Sequence, residues 1–218
     1  MEWKRLGRLL WGLLLCGVGI YLELRANIGL SPWNAFAEGI SLHTGMLFGD
    51  AVAVTSALVL VLDLVLREPI GVGTILNAVL IGKFVDVLEW LDLLPVCQSM
   101  LTGVPVLLLG QLAICVGSYY YIGAAMGCGP RDSLMISIGK HWPRIPIGLA
   151  RFCVECTVLV AGWLLGAPVG VGTVLFMFGI SFLLQFVFRL YHFDAKALVH
   201  EDAAATLRRW LGRPARHA

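Results

Sequence analysis

Six apolar runs, at about residues 6–26, 50–66, 71–92, 104–125, 147–166 and 169–190, dominate the sequence and leave only short connections between them. A helix needs ~20 apolar residues to cross the hydrocarbon layer of a bilayer, and these runs approach or reach that length. Of the 218 residues, 59% are hydrophobic and 14% are charged, against about 25% charged in an ordinary soluble domain. The mean hydropathy is +0.85. A soluble core cannot absorb this much apolar surface, whereas a bilayer can. The expected fold is all-α: a polytopic helical membrane protein with six spanning helices.

The positive charges orient the spans. With the N-terminus in the cytoplasm, Lys4, Arg5, Arg8, Arg67, Arg131, Lys140, Arg144, Arg189 and the basic tail 194–218 all fall on the cytoplasmic side. The outer segments keep only Arg25, while Lys83 lies within span three. Both ends are therefore expected inside. Lys4, Arg5 and Arg8 ahead of an apolar run resemble a signal peptide, but the large Leu15 does not suit a cleavage site. The run is read as a retained first span. Six cysteines are present, and Cys153 and Cys156 form a CxxC. That pair falls inside a predicted span, where a redox or metal role is not expected.

The chain matches itself in two halves, 1–93 and 104–190. At an offset of 98 residues, Gly12, Gly19, Tyr21, Gly29 and Pro32 fall on Gly110, Gly117, Tyr119, Gly127 and Pro130. After one inserted residue, Pro69-Ile-Gly-Val-Gly-Thr74 falls on Pro168-Val-Gly-Val-Gly-Thr173. Each half has three spans, so the second must enter the bilayer from the opposite side. The halves are expected to be inverted repeats, a design that places transporter sites near the midplane where the halves meet.

After the first span of each half the helix breaks, at Asn27–Asn34 and at Ala125–Asp132. Glycine ends a helix and proline favours the first position of the next. Ser31 is expected to cap the first new helix, with Gly129 in that place in the second. Short helices follow, at about 32–43 and 130–140. They are either interfacial connectors or re-entrant half-helices whose N-termini face a polar cavity. The latter reading makes Ser31, Pro32, Trp33, Asn34, Pro130, Arg131 and Asp132 candidate contacts for a polar or anionic solute.

Ionisable groups inside spans are functional candidates. Span three carries Lys83 and Asp86, and span five carries Arg151 and Glu155. Lys83, Asp86 and Glu155 are expected to face inward, within reach of one another or of the breaks, while Arg151, a few residues into span five, is close enough to the cytoplasmic surface to snorkel. Internal ion pairing is the alternative for these charges. Asp63, Glu89 and Asp92 are assigned to the membrane interface. Thr74 and Thr173, after Gly-Val-Gly, are expected to serve close helix packing and to hydrogen-bond across to a neighbour. Asn77 adds polarity one turn on from Thr74.

No metalloprotease, nucleophile-elbow or phosphate-loop motif is present, and the histidines are not at metal-ligand spacing. An enzyme, a metal or a cofactor is not expected. Gly29-Leu-Ser-Pro-Trp-Asn34, Pro69-x-Gly-Val-Gly-Thr74, Gly82-x-x-x-Asp86, Gly127-x-Gly-Pro-Arg-Asp-Ser-Leu-Met135, Gly148-x-x-Arg151-x-x-x-Glu155 and Gly170-Val-Gly-Thr173 together resemble the YczE/YyaS/YitT family, and more closely its YczE-like branch. The resemblance runs from about residue 5 to 190. It implies a multi-span protein of the bacterial cell membrane and carries no substrate. Asn34 stands where that family often has Asp. The functional expectation from the residues is a transporter or permease of a small polar or anionic solute; the alternative is a non-transporting accessory or assembly factor of another envelope system. The expected partners are the lipid bilayer and that solute, with no nucleic acid and with self-association left open.

Overall fold

The computed structural model describes residues 2–68, 70–127, 129–141 and 147–193, with the side chains of Asp132, Lys140 and Arg151 among those outside the description. Pro69, Cys128, Pro143, Arg144 and the basic tail 194–218 lie outside the described residues. Eight helices occur among them: α1 (Glu2–Ala26), α2 (Pro32–Thr44), α3 (Phe48–Val65), α4 (Val72–Leu91), α5 (Met100–Ile122), α6 (Pro130–His141), α7 (Ile147–Leu164) and α8 (Val171–Leu190). By length and apolar composition, α1 from Trp3, α3, α5 and α8 are long enough to cross a membrane. Helix α4 matches them in length but carries Lys83, Asp86 and Glu89; the described apolar part of α7 is Phe152–Leu164. Phe178, Phe182 and Phe186, one turn apart on α8, are exposed, as side chains facing lipid are.

Helices α1 and α5 form the central crossing. A Cβ placed on Gly12 would stand 2.7 Å from the carbonyl oxygen of Gly117, and one on Gly19 would stand 2.5 Å from that of Gly110. The helices thus run in opposite directions and touch backbone to backbone. Small residues at such contacts let helices in lipid gain dispersion and close packing, where no hydrophobic driving force between helices exists. Gly12 and Gly110 are sequence equivalents, as are Gly19 and Gly117, so each glycine meets the equivalent of the other. Leu9, Leu13, Cys16 and Ile20 of α1 continue this face into a core shared with Ile81 and Val85 of α4 and with Tyr121.

The two breaks take the same backbone path. Asn27 and Ala125 have φ of 51° and 54°, and Gly29 and Gly127 follow at 115° and 125°. Such a path leaves carbonyls without helical partners, which the hydrocarbon would penalise. They are satisfied across the halves: the N–H of Gly172 donates to the oxygen of Ile28, and that of Gly73 to the oxygen of Met126, both at 2.7 Å. The opening N–H groups of a helix have no partner of their own, so the start of α8 completes the first break and the start of α4 completes the second. This explains the Gly-Val-Gly-Thr motif. A Cβ on Gly172 or Gly73 would stand 2.9 Å from the carbonyl oxygen of Gly29 or Met126. Thr74 and Thr173, expected from sequence to hydrogen-bond across to a neighbour, bond locally instead. Thr74 Oγ1 and Thr173 Oγ1 accept from the N–H of Gly71 and Gly170, each at 3.2 Å, and so cap their own helices.

The short helices also pack across the halves. Helix α2 lies against α7 and α3, and α6 lies against α3 and α7. The N-terminal part of α2, Pro32 to Ala35, is buried, and the helix emerges at Leu42–Thr44 before a left-handed Gly45 ends it. Asp63, assigned from sequence to the interface, is instead completely buried. It lies near the end of its apolar run, but α3 packs against α6 there.

Candidate functional site

A cavity of about 380 Å³ lies where the two breaks meet. Ser31, Pro32, Trp33 and Asn34 form one part of its wall, and Gly129, Pro130 and Arg131 form another. Cys16 and Ile20 of α1, and Ile114 and Ser118 of α5, supply the floor from the central crossing. Ser56 comes from α3, Asn77 and Ile81 from α4, Glu155 from α7, and Phe176, Met177 and Ile180 from α8. Much of this lining consists of sequence-equivalent pairs: Cys16 with Ile114, Ile20 with Ser118, Pro32 with Pro130, Trp33 with Arg131, Ser56 with Glu155, and Ile81 with Ile180. Two equivalents even touch, since the Arg131 guanidinium lies 5.1 Å from the centre of the Trp33 ring. A cation over the face of tryptophan is held by the ring quadrupole.

The volume falls at the lower end of small-molecule sites, and such sites combine apolar walls with a few placed polar groups. Here the walls are isoleucine, phenylalanine, methionine and tryptophan. The polar groups are Arg131, Glu155, Asn34, Asn77 and the hydroxyls of Ser31, Ser56 and Ser118.

The residues nominated from sequence divide accordingly. Ser31, Pro32, Trp33, Asn34, Asn77, Pro130, Arg131 and Glu155 share the cavity. Asp132 and Arg151 are on α6 and α7, with side chains outside the described set. Thr74 and Thr173 cap helices. Lys83 and Asp86 do not join Glu155, and this corrects the expectation of one convergent charged site. Asp86 Oδ1 accepts from the N–H of Gly49 at 2.7 Å, at the start of α3. Lys83 bridges Asp50 at 2.5 Å and Asp86 at 3.5 Å, and remains half exposed. A carboxylate and a cation at a helix start suit the dipole and the neighbouring acid, so this group fastens α3 to α4.

Sequence reasoning also missed Glu23. Its carboxylate is buried behind Ser31 and Asn34, accepting from the backbone N–H of Ser31 and, at 2.7 Å, from the amide of Asn34. Ser31 itself makes no side-chain cap on α2. The role expected of its hydroxyl is taken by a carboxylate from the preceding span. The signal was present: Leu9, Leu13, Cys16, Ile20 and Glu23 recur at helical spacing, so Glu23 continues the buried stripe of α1. Arg131 is within Coulombic reach of this carboxylate. At the other break, Arg5 donates from Nε and Nη2 to the oxygens of Ala124 and Ala125, at 3.0 and 3.1 Å.

Apolar helices, breaks completed from the opposite half and a cavity between them define a multi-helix membrane protein. The chain belongs to a family of unknown function, DUF6198, whose model matches residues 3–189. It is 33% identical to the uncharacterized membrane protein YczE of Bacillus subtilis over 179 residues, 80% of this chain and 81% of the relative. It is 30% identical to an uncharacterized protein of Haemophilus influenzae over 185 residues, 85% and 84% of the two chains. The uncharacterized protein YyaS of Bacillus subtilis is 27% identical over 169 residues, 75% and 82%. No solved structure matches.

Proposed function

We propose that this protein is a transporter or permease for a small polar or anionic solute, and that the cavity between the two breaks is its solute site. The observation that carries the reading is the cavity itself, walled by equivalent residues of both halves at the two interrupted helices. Arg131 and the N-terminal end of α6 favour an anionic or polar group on the solute, while Phe176, Met177 and Ile180 give an apolar part somewhere to lie. Glu23 already takes up the start of α2, so an incoming anion belongs at the α6 side.

The architecture proposed with it is six spans, arranged as two inverted three-helix repeats with both ends in the cytoplasm of a bacterial cell. Two observations favour inversion. Helices α1 and α5 are equivalents that run antiparallel, and their glycine contacts exchange with one another under the repeat. The hydrogen bonds that complete the breaks exchange in the same way. Both follow from a two-fold axis lying in the membrane plane. The buried N-terminal part of α2 favours a re-entrant half-helix over an interfacial one.

Membrane vesicles with and without the protein, compared by untargeted uptake of metabolites, test the function. One solute class should accumulate only with the protein. Glu155→Gln and Arg131→Ala should abolish that uptake while folded yield holds. Equal uptake of every solute by both vesicles would refute the reading. Cysteine labelling tests the orientation: positions near 40 and 98 should react from outside, and those near 68 and 140 from inside.

A further inference from the structure

Helices α2 and α7 close on each other through Gly39 and Gly162. A Cβ on Gly162 would stand 2.6 Å from the backbone nitrogen of Phe36, and one on Gly39 would stand 3.1 Å from the oxygen of Gly162. The equivalent contact joins α6 to α3, and there the two glycines are replaced by Ser137 and Asp63. Both side chains are completely buried. Neither oxygen of Asp63 has a hydrogen-bond partner, and neither has Ser137 Oγ. The neighbouring positions are apolar: Val59, one turn before Asp63 on α3, and Leu134, one turn before Ser137 on α6, form a buried cluster with Trp33, and Leu66, Ile138 and, from α7, Val154 and Val158 pack against it.

A carboxylate without a partner does not survive as an ion in such a place, because its desolvation exceeds what the site returns. It is neutralised by a bound cation. A calcium or magnesium ion needs six or more oxygens in a shell, and among the described residues no cluster of three metal-binding side chains exists. A proton needs one oxygen. The charged groups on the surrounding elements are Arg67, which is exposed, and Glu68, which acts on Asp63 with the same sign, both just after α3, with Arg131 and His141 on α6 and Glu155 on α7, each of which has interactions of its own. Asp132 and Lys140 of α6 have side chains outside the described set. The start of α4, at Val72–Ile75, brings no charge.

We propose that Asp63 is a proton-binding site: its carboxyl carries a proton at neutral pH while it is enclosed between α3 and α6. An O–H bond forms as Asp63 takes a proton from water. When α3 and α6 separate, that bond breaks, the proton returns to water, and the charge left on Asp63 is hydrated. The site rests on the packing of α3 against α6 and not on the transport reading, so it is tested without any solute.

The test is infrared spectroscopy of the full-length protein in lipid nanodiscs, following the C=O stretch of protonated carboxyl groups at neutral pH. The wild type should show a band that is lost in Asp63→Asn, a substitution that mimics the neutral acid in shape. Asp63→Glu should keep a protonated-carboxyl band and shift its position. This variant decides the matter even if Asp63→Asn does not fold. A band that neither substitution changes would overturn the proposal. A wild-type thermal midpoint raised by sodium, with Asp63→Asn unaffected, would also overturn it by making the bound cation sodium.

Discussion

Replacing Glu23 with leucine tests whether the first break is held by hydrogen bonds from inside the bundle. Leucine has nearly the volume of glutamate but no acceptor. Two buried donors, the N–H of Ser31 and the amide of Asn34, would lose their partner. A buried donor left unsatisfied costs about 1–3 kcal/mol, so Glu23→Leu should destabilise the protein by roughly 2–6 kcal/mol. Glutamine behaves differently. Its oxygen can still accept from Ser31, and its amide can donate to Asn34 Oδ1 once the Asn34 amide turns over. That oxygen is buried without a partner in the present arrangement, and the two orientations of an asparagine amide fit the same space. Glu23→Gln should therefore cost less than about 1.5 kcal/mol. Reversible unfolding in mixed micelles, by titration with denaturing detergent, measures both. A glutamine variant as unstable as the leucine variant would show that charge, and not hydrogen bonding, holds the break. A leucine variant of nearly wild-type stability would refute the role altogether.

Gly19→Val should push α1 away from α5 and cost about 1–3 kcal/mol or more, read as a lower thermal midpoint, whereas Gly7→Ala, where nothing lies near, should leave it unchanged. Thr74→Val and Thr173→Val should each remove a cap worth about 1 kcal/mol, and the two losses should be alike. Asp86→Ala should cost about 1.5–3 kcal/mol through the lost hydrogen bond from Gly49 and leave the specificity of any solute uptake unchanged, in contrast to Glu155→Gln.

The helices were legible in the sequence because apolar run length is set by the bilayer, and α1 through α8 begin and end within a few residues of the runs that announced them. The paired breaks were legible for a similar reason: the glycines with positive φ and the prolines at helix starts have few alternatives. Trp33 and Arg131 followed from them, whereas Glu155 was legible separately, as an ionisable group inside an apolar run. Depth was not legible. Asp63 and Glu23 lie toward the ends of apolar runs, where residues ordinarily meet water, but a short helix packs against the helix of Asp63 and another begins on the carboxylate of Glu23. Lys83 and Asp86 looked central because they are in the middle of α4. Beyond the Lys83–Asp86 contact within α4, their partners Asp50 and the N–H of Gly49 lie more than thirty positions away, and no periodicity within α4 points to them.

The completion of each break by the other half has a consequence for biosynthesis. The carbonyl of Ile28 acquires its partner only when Gly172 is made, roughly 140 residues later; at about 5–20 residues per second that is a wait of roughly 7–30 s. During that interval the first half has entered the membrane machinery with an exposed turn of backbone that lipid cannot solvate. The insertion apparatus, or the water it admits, must shelter that turn until the last helix arrives. A nascent chain arrested before α8 should remain attached to this apparatus, and separately expressed halves should be degraded unless both are present in the same membrane.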